Sequence, residues 1–461
     1  MIHGLAKVRQ SKWGVSPEVP YFDFLRFFSL SFWRLVIKVF FFSSLSCGTA
    51  FAGTSGLLVA HSFISAIQSR DLENIERLEG DVLRAQLKGQ QLIDLWSDLE
   101  RRLGYYKGCQ SHQIEKRNPY EIITLTCSFG QNKVDFSITT DKSLIFGFFI
   151  LRTYLNENSS TSNDAYSEKD IIFGEKEWLL PGTLTLPAQK HPLAALVLVH
   201  GSGPLDRNET VGQTHLFADL SSRLAQKGVA TFRYDKRTFH YSIKLAAESD
   251  VTLEDESITD ARLALKEVRK QLPDTKCVFL VGHSLGAYLA PVILSHTHHA
   301  QGMILLAPPG RKMVDVMLDQ VEFLRSLSEE NRNGLASVQE RLKAMKESNN
   351  PTGSMAPGFW GKSAWEFFQH YSPLDEWKKN NLDTLVIFAK KDYQVTSHDA
   401  LAWEGLRKNY PEKIEISQLE GLGHTFSPVS GPPSPQSYMQ SSEASDEVIN
   451  LIADFIRSKC I

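Results

Sequence analysis

At 461 residues, with 42% hydrophobic and 22% charged positions, the chain has an ordinary globular composition and enough length for two domains plus extras. Its net charge of -3 gives no electrostatic drive toward nucleic acid or an acidic surface.

The first predicted segment is a targeting leader over residues 1–52. Arg26, Arg34 and Lys38 precede an apolar stretch from Val39, and Ala50-Phe51-Ala52 fits the small-x-small pattern of an export cleavage site. Basic residues favour the cytoplasmic side while the apolar run enters the bilayer. A cleaved signal and a periplasmic or secreted protein are therefore expected. Lys38 breaks the run short of the ~20 apolar residues a full span needs, so an uncleaved anchor is the second reading and a cytoplasmic protein the third. Lipid attachment at Cys47 is disfavoured, because Ser44 stands where an aliphatic residue is expected.

Residues 58–155 predict a small α+β domain. Leu92, Leu95, Trp96, Leu99 and Leu103 recur at helical spacing, and strands are expected at 120–127, 134–138 and 143–150. The leucine–tryptophan stripe is read as core, and no acid, base or metal cluster stands out. Cys109 and Cys127 lie almost symmetrically about Asn118-Pro119, which would set them opposite each other on an antiparallel hairpin. An oxidising compartment would permit a disulfide there; two separate buried thiols is the alternative. The polar stretch 156–169 reads as a linker.

The remainder, 170–461, alternates short apolar runs with longer amphipathic segments. Strands are predicted at 195–199, 230–234, 277–281, 303–307, 384–388 and 413–417, with a closing helix at about 445–458. Nearly continuous apolar strands separated by helix-length segments imply a buried, mostly parallel sheet with helices on both faces. The interval at about 309–380 is far longer than a crossover needs, and it carries Phe359, Trp360, Trp365, Phe367, Phe368 and Tyr371. A helical lid over a binding pocket is expected there, with packing against the sheet edge as the alternative.

Chemistry concentrates in Gly282-His283-Ser284-Leu285-Gly286, set between an apolar strand and a helix-forming run. Such a strand-to-helix turn exposes a serine hydroxyl, and the helix amino terminus favours developing negative charge. A serine nucleophile needs a base oriented by an acid, in chain order Ser, acid, His. Asp392 follows the strand at 384–388, whereas the rival Asp383 precedes it. His424 follows the next strand in a glycine-rich loop, whereas His398 comes too soon after Asp392. Ser284, Asp392 and His424 are therefore the expected catalytic set. Acyl transfer also needs oxyanion donors, expected from the amides of Leu285 and Ser202, with Gly203 second to Ser202. His296, His298 and His299 lack completing partners for a metal site, and no nucleotide fingerprint sits between a strand and a helix; neither metal nor cofactor is expected.

HGSGPLDRNE (200–209), RYDKR (233–237), GHSLG (282–286), DYQVT (392–396) and the final Gly423-His424 occur in the order found in bacterial α/β-hydrolases. Residues 170–460 resemble the esterase and dienelactone-hydrolase-like group of that family, and 58–155 resemble a small domain found ahead of such enzymes. The resemblance implies an α/β-hydrolase fold and the same three catalytic residues. Asn208 stands where the family usually has an acid, and Thr238 where it has a glycine after RYDKR; both are expected to reshape the pocket entrance. The expected activity is cleavage of small carboxylic esters bearing an apolar group. Thioester hydrolysis, acyl transfer and peptide hydrolysis use the same chemistry, and a non-catalytic binding protein of this fold is the reading from another class.

Overall fold

The computed structural model describes residues 56–460 except 131, 155–159, 163, 176, 190, 242–244, 246–250, 296, 348–360 and 440–441. The leader at 1–52, with Cys47, and the aromatics Phe359 and Trp360 lie outside the described residues.

The small domain opens with helices Gly56–Gln68, Leu72–Leu78, Asp81–Gln86 and Gly89–Leu103. Strands β1 (Tyr106–Arg117), β2 (Tyr120–Phe129), β3 (Asn132–Thr140) and β4 (Ile145–Tyr154) follow as an antiparallel meander in that order. Alternation along β2 buries Ile123, Leu125 and Cys127. Against that face lie Leu92, Trp96 and Leu99 of the predicted stripe, with Trp96 stacked on Phe136 at 5.5 Å. Cys109 faces Cys127 across β1 and β2, and the two are disulfide-bonded.

The second domain has its own core. Its sheet comprises β5 (Ser160–Ser162), β6 (Tyr166–Glu175), β7 (Trp178–Pro187), β8 (Ala194–Val199), β11 (Val229–Tyr234), β12 (Cys277–His283), β13 (Gly302–Leu306), β14 (Asp383–Ala389) and β15 (Ile414–Leu419). A short separate hairpin, β9 (Thr210–Val211) and β10 (Thr214–His215), follows β8. The order is β15-β14-β13-β12-β8-β11-β7-β6-β5, parallel from β15 to β11 and antiparallel thereafter. Every residue of β8, β11, β12 and β13 is buried, as a sheet covered on both faces requires. Each fully buried Val, Leu or Ile side chain there contributes about 1.5–3 kcal/mol of transfer free energy.

Helix Leu216–Ala225 packs on the closing helix Asp446–Lys459, while Thr259–Gln271 packs on Leu285–Leu294, which also meets Pro373–Asn380. A second disulfide joins Cys277, at the start of β12, to Cys460 at the end of the closing helix.

One feature differs from expectation. The segment read as linker supplies β5 and the first residues of β6, so much of 156–169 belongs to the sheet. The insertion between β13 and β14 is helical, with helices including Met313–Leu327, Ala336–Glu347 and Lys362–His370. Trp365 and Phe368 are buried, and Phe368 and Tyr371 close on Tyr288 of the Leu285–Leu294 helix at 6.0 and 5.1 Å. Trp365, Phe368 and Tyr371 thus join the apolar core of the second domain. Phe323, earlier in the insertion, instead stacks on Tyr393 at 4.8 Å, beside Asp392.

Candidate active site

Ser284 occupies the turn between β12 and the helix Leu285–Leu294, with φ of 52°. A non-glycine residue in that left-handed region costs on the order of 1–3 kcal/mol and persists only where its surroundings hold it. Here its N–H donates to the Leu306 carbonyl at 2.9 Å, and its own carbonyl accepts from the Tyr288 N–H at 2.9 Å. The flanking glycines permit the fit. A Cβ on Gly286 would lie 2.2 Å from the Val199 oxygen, and one on Gly282 would lie 2.5 Å from the Ala287 nitrogen.

Asp392 sits just past the end of β14 and is buried. Its Oδ1 accepts from the N–H groups of Gln394 and Val395 at 2.7 and 3.1 Å, which aims Oδ2 at His424. His424 Nδ1 donates to Oδ2 at 2.6 Å. That contact places the ring proton on Nδ1 and leaves Nε2 as the basic face. The imidazole is brought to the nucleophile turn through His283, whose Nε2 donates to the His424 carbonyl at 2.9 Å while the two rings lie 4.6 Å apart. The rivals are elsewhere. Asp383 pairs with Lys413 at 3.4 Å at the far end of β14, and exposed His398 contacts Asp319 at 3.1 Å.

The loop after β8 runs beside the serine: a Cβ on Gly201 would stand 3.3 Å from Ser284 Cβ. The Gly201 N–H is engaged by Glu209 Oε1 at 2.7 Å, so the oxyanion-donor candidates in this loop are the Ser202 and Gly203 amides. Leu285 is the first residue of its helix, and its N–H has no acceptor within that helix.

Four further residues surround this site that local pattern does not reveal. Glu209 is buried at φ of 52°, and its Oε1 also meets His283 Nδ1 at 2.8 Å. Burial disfavours the charged form of both, yet their mutual charge and hydrogen bonds outweigh it. Glu209 is thus held below, and His283 above, its ordinary pKa. Lys236 is the only lysine among the described residues that is buried. Its Nζ donates to the Gly201 carbonyl at 2.9 Å and pairs with Glu256 Oε1 at 2.6 Å. Glu209 and Lys236 do lie in motifs visible in sequence, but nothing in their spacing ties either to Gly201.

Neighbouring groups set the scaffold. Burial pushes the His200 pKa down to about 4, and its Nε2 contacts the Asp206 carbonyl at 3.0 Å. Asn208 Oδ1 accepts from Arg233 at 3.1 Å, and Arg233 in turn pairs with Glu168 of β6. Thr238 is buried in the short helix Arg237–His240. Among the described residues no group of His, Cys, Asp and Glu is arranged to hold a metal, and His296 lies outside them. No helix among those residues is long and apolar enough to cross a membrane.

Residues 190–400 match the family described as serine aminopeptidase, S33, and residues 60–146 match a protein family of unknown function, DUF3887. Esterase EstD of Thermotoga maritima is 31% identical over 403 residues, covering 86% of this chain and 93% of that protein. Among solved structures, the Pyrococcus furiosus esterase Pf2001 aligns with a TM-score of 0.43 and 14% identity, over 64% of this chain and 91% of that one. Est1E from Butyrivibrio proteoclasticus aligns with a TM-score of 0.39 and 14% identity, over 63% and 96%.

Proposed function

This chain belongs to the α/β-hydrolase family that includes Esterase EstD, as a carboxylesterase-type hydrolase, and from that premise we propose that it cleaves small carboxylic esters through an acyl-enzyme on Ser284. The carrying observation is the 2.6 Å contact of His424 Nδ1 with Asp392, beside a strained serine turn.

In the first step His424 Nε2 takes the Ser284 proton as Oγ attacks the ester carbonyl. The Ser202 and Leu285 amides receive the oxyanion, and His424 returns the proton to the departing alcohol. Water then repeats the sequence on the acyl-enzyme, releasing acid and free serine. Asp392 holds the tautomer throughout. An apolar acyl or alcohol group is supported by Phe323 stacked on Tyr393, next to the acid.

The test is fluorophosphonate labelling of the protein and of Ser284→Ala, with turnover of p-nitrophenyl esters of increasing acyl length. Labelling and turnover lost in the variant alone are expected. A folded wild type that does neither would overturn the proposal. The aminopeptidase description of the matching family favours one second reading, amide cleavage, so aminoacyl p-nitroanilides belong in the same assay. Export is proposed on the basis of the leader and is supported by two disulfides, which persist in oxidising compartments. Recovery of the protein with the cytoplasmic fraction would refute export.

A further inference from the structure

The Gly201–Ser202 peptide is gripped from beneath by a charged side chain. Lys236 Nζ donates to the Gly201 carbonyl, and that oxygen belongs to the same peptide unit as the Ser202 N–H. A peptide unit is planar and trans, so its C=O and N–H point in opposite directions. Fixing the oxygen therefore fixes the direction of the N–H. The preceding amide is fixed independently, by Glu209 on the Gly201 N–H.

We propose that Lys236 is a positioning residue of the oxyanion hole, holding the Gly201 carbonyl so that the Ser202 N–H is aimed at the developing oxyanion. This rests on the acyl-transfer reading above. Oxyanion donors act within a narrow range of about 2.7–3.1 Å, so a peptide free to rock loses much of its effect. The charge matters as well as the reach. An ammonium on the oxygen side polarises the peptide and makes the opposite N–H a stronger donor.

Two observations set this lysine apart from a packing residue. Its side chain is 2% exposed and Glu256, its counter-charge, 4%; such a desolvated pair is a poor source of stability compared with an apolar one. Glu256 also reaches Lys236 from a π-helical turn, Glu254–Ile258, at the entry of the helix Thr259–Gln271. Such turns are rare and are found mostly at functional sites. The Lys236–Glu256 pair thus binds a helix entry to the loop that carries the Ser202 amide.

The experiment compares wild type with Lys236→Met/Glu256→Gln, a neutral pair that leaves no buried charge unmatched. Lys236→Met/Glu256→Leu serves as a second, wholly apolar replacement should the first not fold. Rates are expressed per active site by fluorophosphonate titration, which removes any effect of misfolded protein. Expected are a KM within a few-fold of wild type and a kcat lower by about 10–100-fold, short of the 10²–10³ lost when an oxyanion donor is deleted outright. An aryl trifluoromethyl ketone, whose adduct with Ser284 puts an oxyanion in the hole, should weaken by the same factor as kcat. An unchanged kcat per titrated site overturns the proposal, as does a kcat that falls while the ketone binds as before. A wild type that neither labels nor turns over esters refutes the acyl-transfer reading itself, and the role of Lys236 falls with it.

Discussion

Exchange of Asp392 for Asn keeps the shape of the side chain but can turn an amide NH2 toward His424 Nδ1. The imidazole would then hold its proton on Nε2 and be unable to accept one from Ser284. A kcat about 10⁴-fold lower is expected, with the melting temperature nearly unchanged. Stopped assays would detect it, and turnover within tenfold of wild type would remove Asp392 from the mechanism. Gly286→Ala probes the turn itself. Its Cβ would sit 2.2 Å from the Val199 oxygen, which is backbone and has nowhere to go. Loss of labelling is expected with about 1–3 kcal/mol of stability, read from the urea midpoint. The candidates Ser284 and Asp392 could be proposed from sequence because each adjoins the end of an apolar strand, and His424 because it follows β15 in a glycine-rich loop. His283, Glu209, Lys236 and Glu256 could not. His283 fills the variable position of its motif, and the others meet only through contacts made after folding.

At the scale of elements, the parallel strands were legible for a physical reason: burial on both faces demands continuous apolar runs, and β8, β12 and β13 supply them. The β6–β7 hairpin was not. Pro181 and Gly182 interrupt β7, and Glu168, Lys169 and Asp170 make β6 read as surface. Arg233 and Arg207 compensate by pairing with Glu168 and Asp170 across the strands. In the small domain, Glu79 follows the helix Leu72–Leu78 and bridges to Ile145 at the start of β4, with neither carboxylate oxygen hydrogen-bonded and Arg84 Nε 3.9 Å away. Burial raises its pKa to about 7. The folded state thus holds a proton that the unfolded state has already released above its ordinary value of 4.5. Stability is therefore fullest below that value and declines as pH rises through 7, by on the order of 2 kcal/mol. Glu79→Gln should flatten this decline in denaturation midpoints between pH 5 and pH 8, and an identical slope in the variant would refute the assignment.

At the scale of the whole molecule, two separate apolar cores correspond to the two family matches, and each core carries its own disulfide. The Cys109–Cys127 bridge was anticipated as one of two readings because a hairpin turn lay midway between the cysteines. The Cys277–Cys460 bridge was not, since its partners are 183 residues apart and only the sheet brings the closing helix to β12. Closing so long a loop restricts the unfolded chain, so Cys277→Ser/Cys460→Ser is expected to lose up to about 5 kcal/mol of stability, measurable as a lower chemical midpoint.

Ser284, Asp392 and His424 all fall between Cys277 and Cys460, as does the whole insertion between β13 and β14. A single protease cut anywhere in that span therefore opens a ring rather than severing a line. The two pieces stay tethered and would migrate together on a non-reducing gel, parting only when a thiol is added.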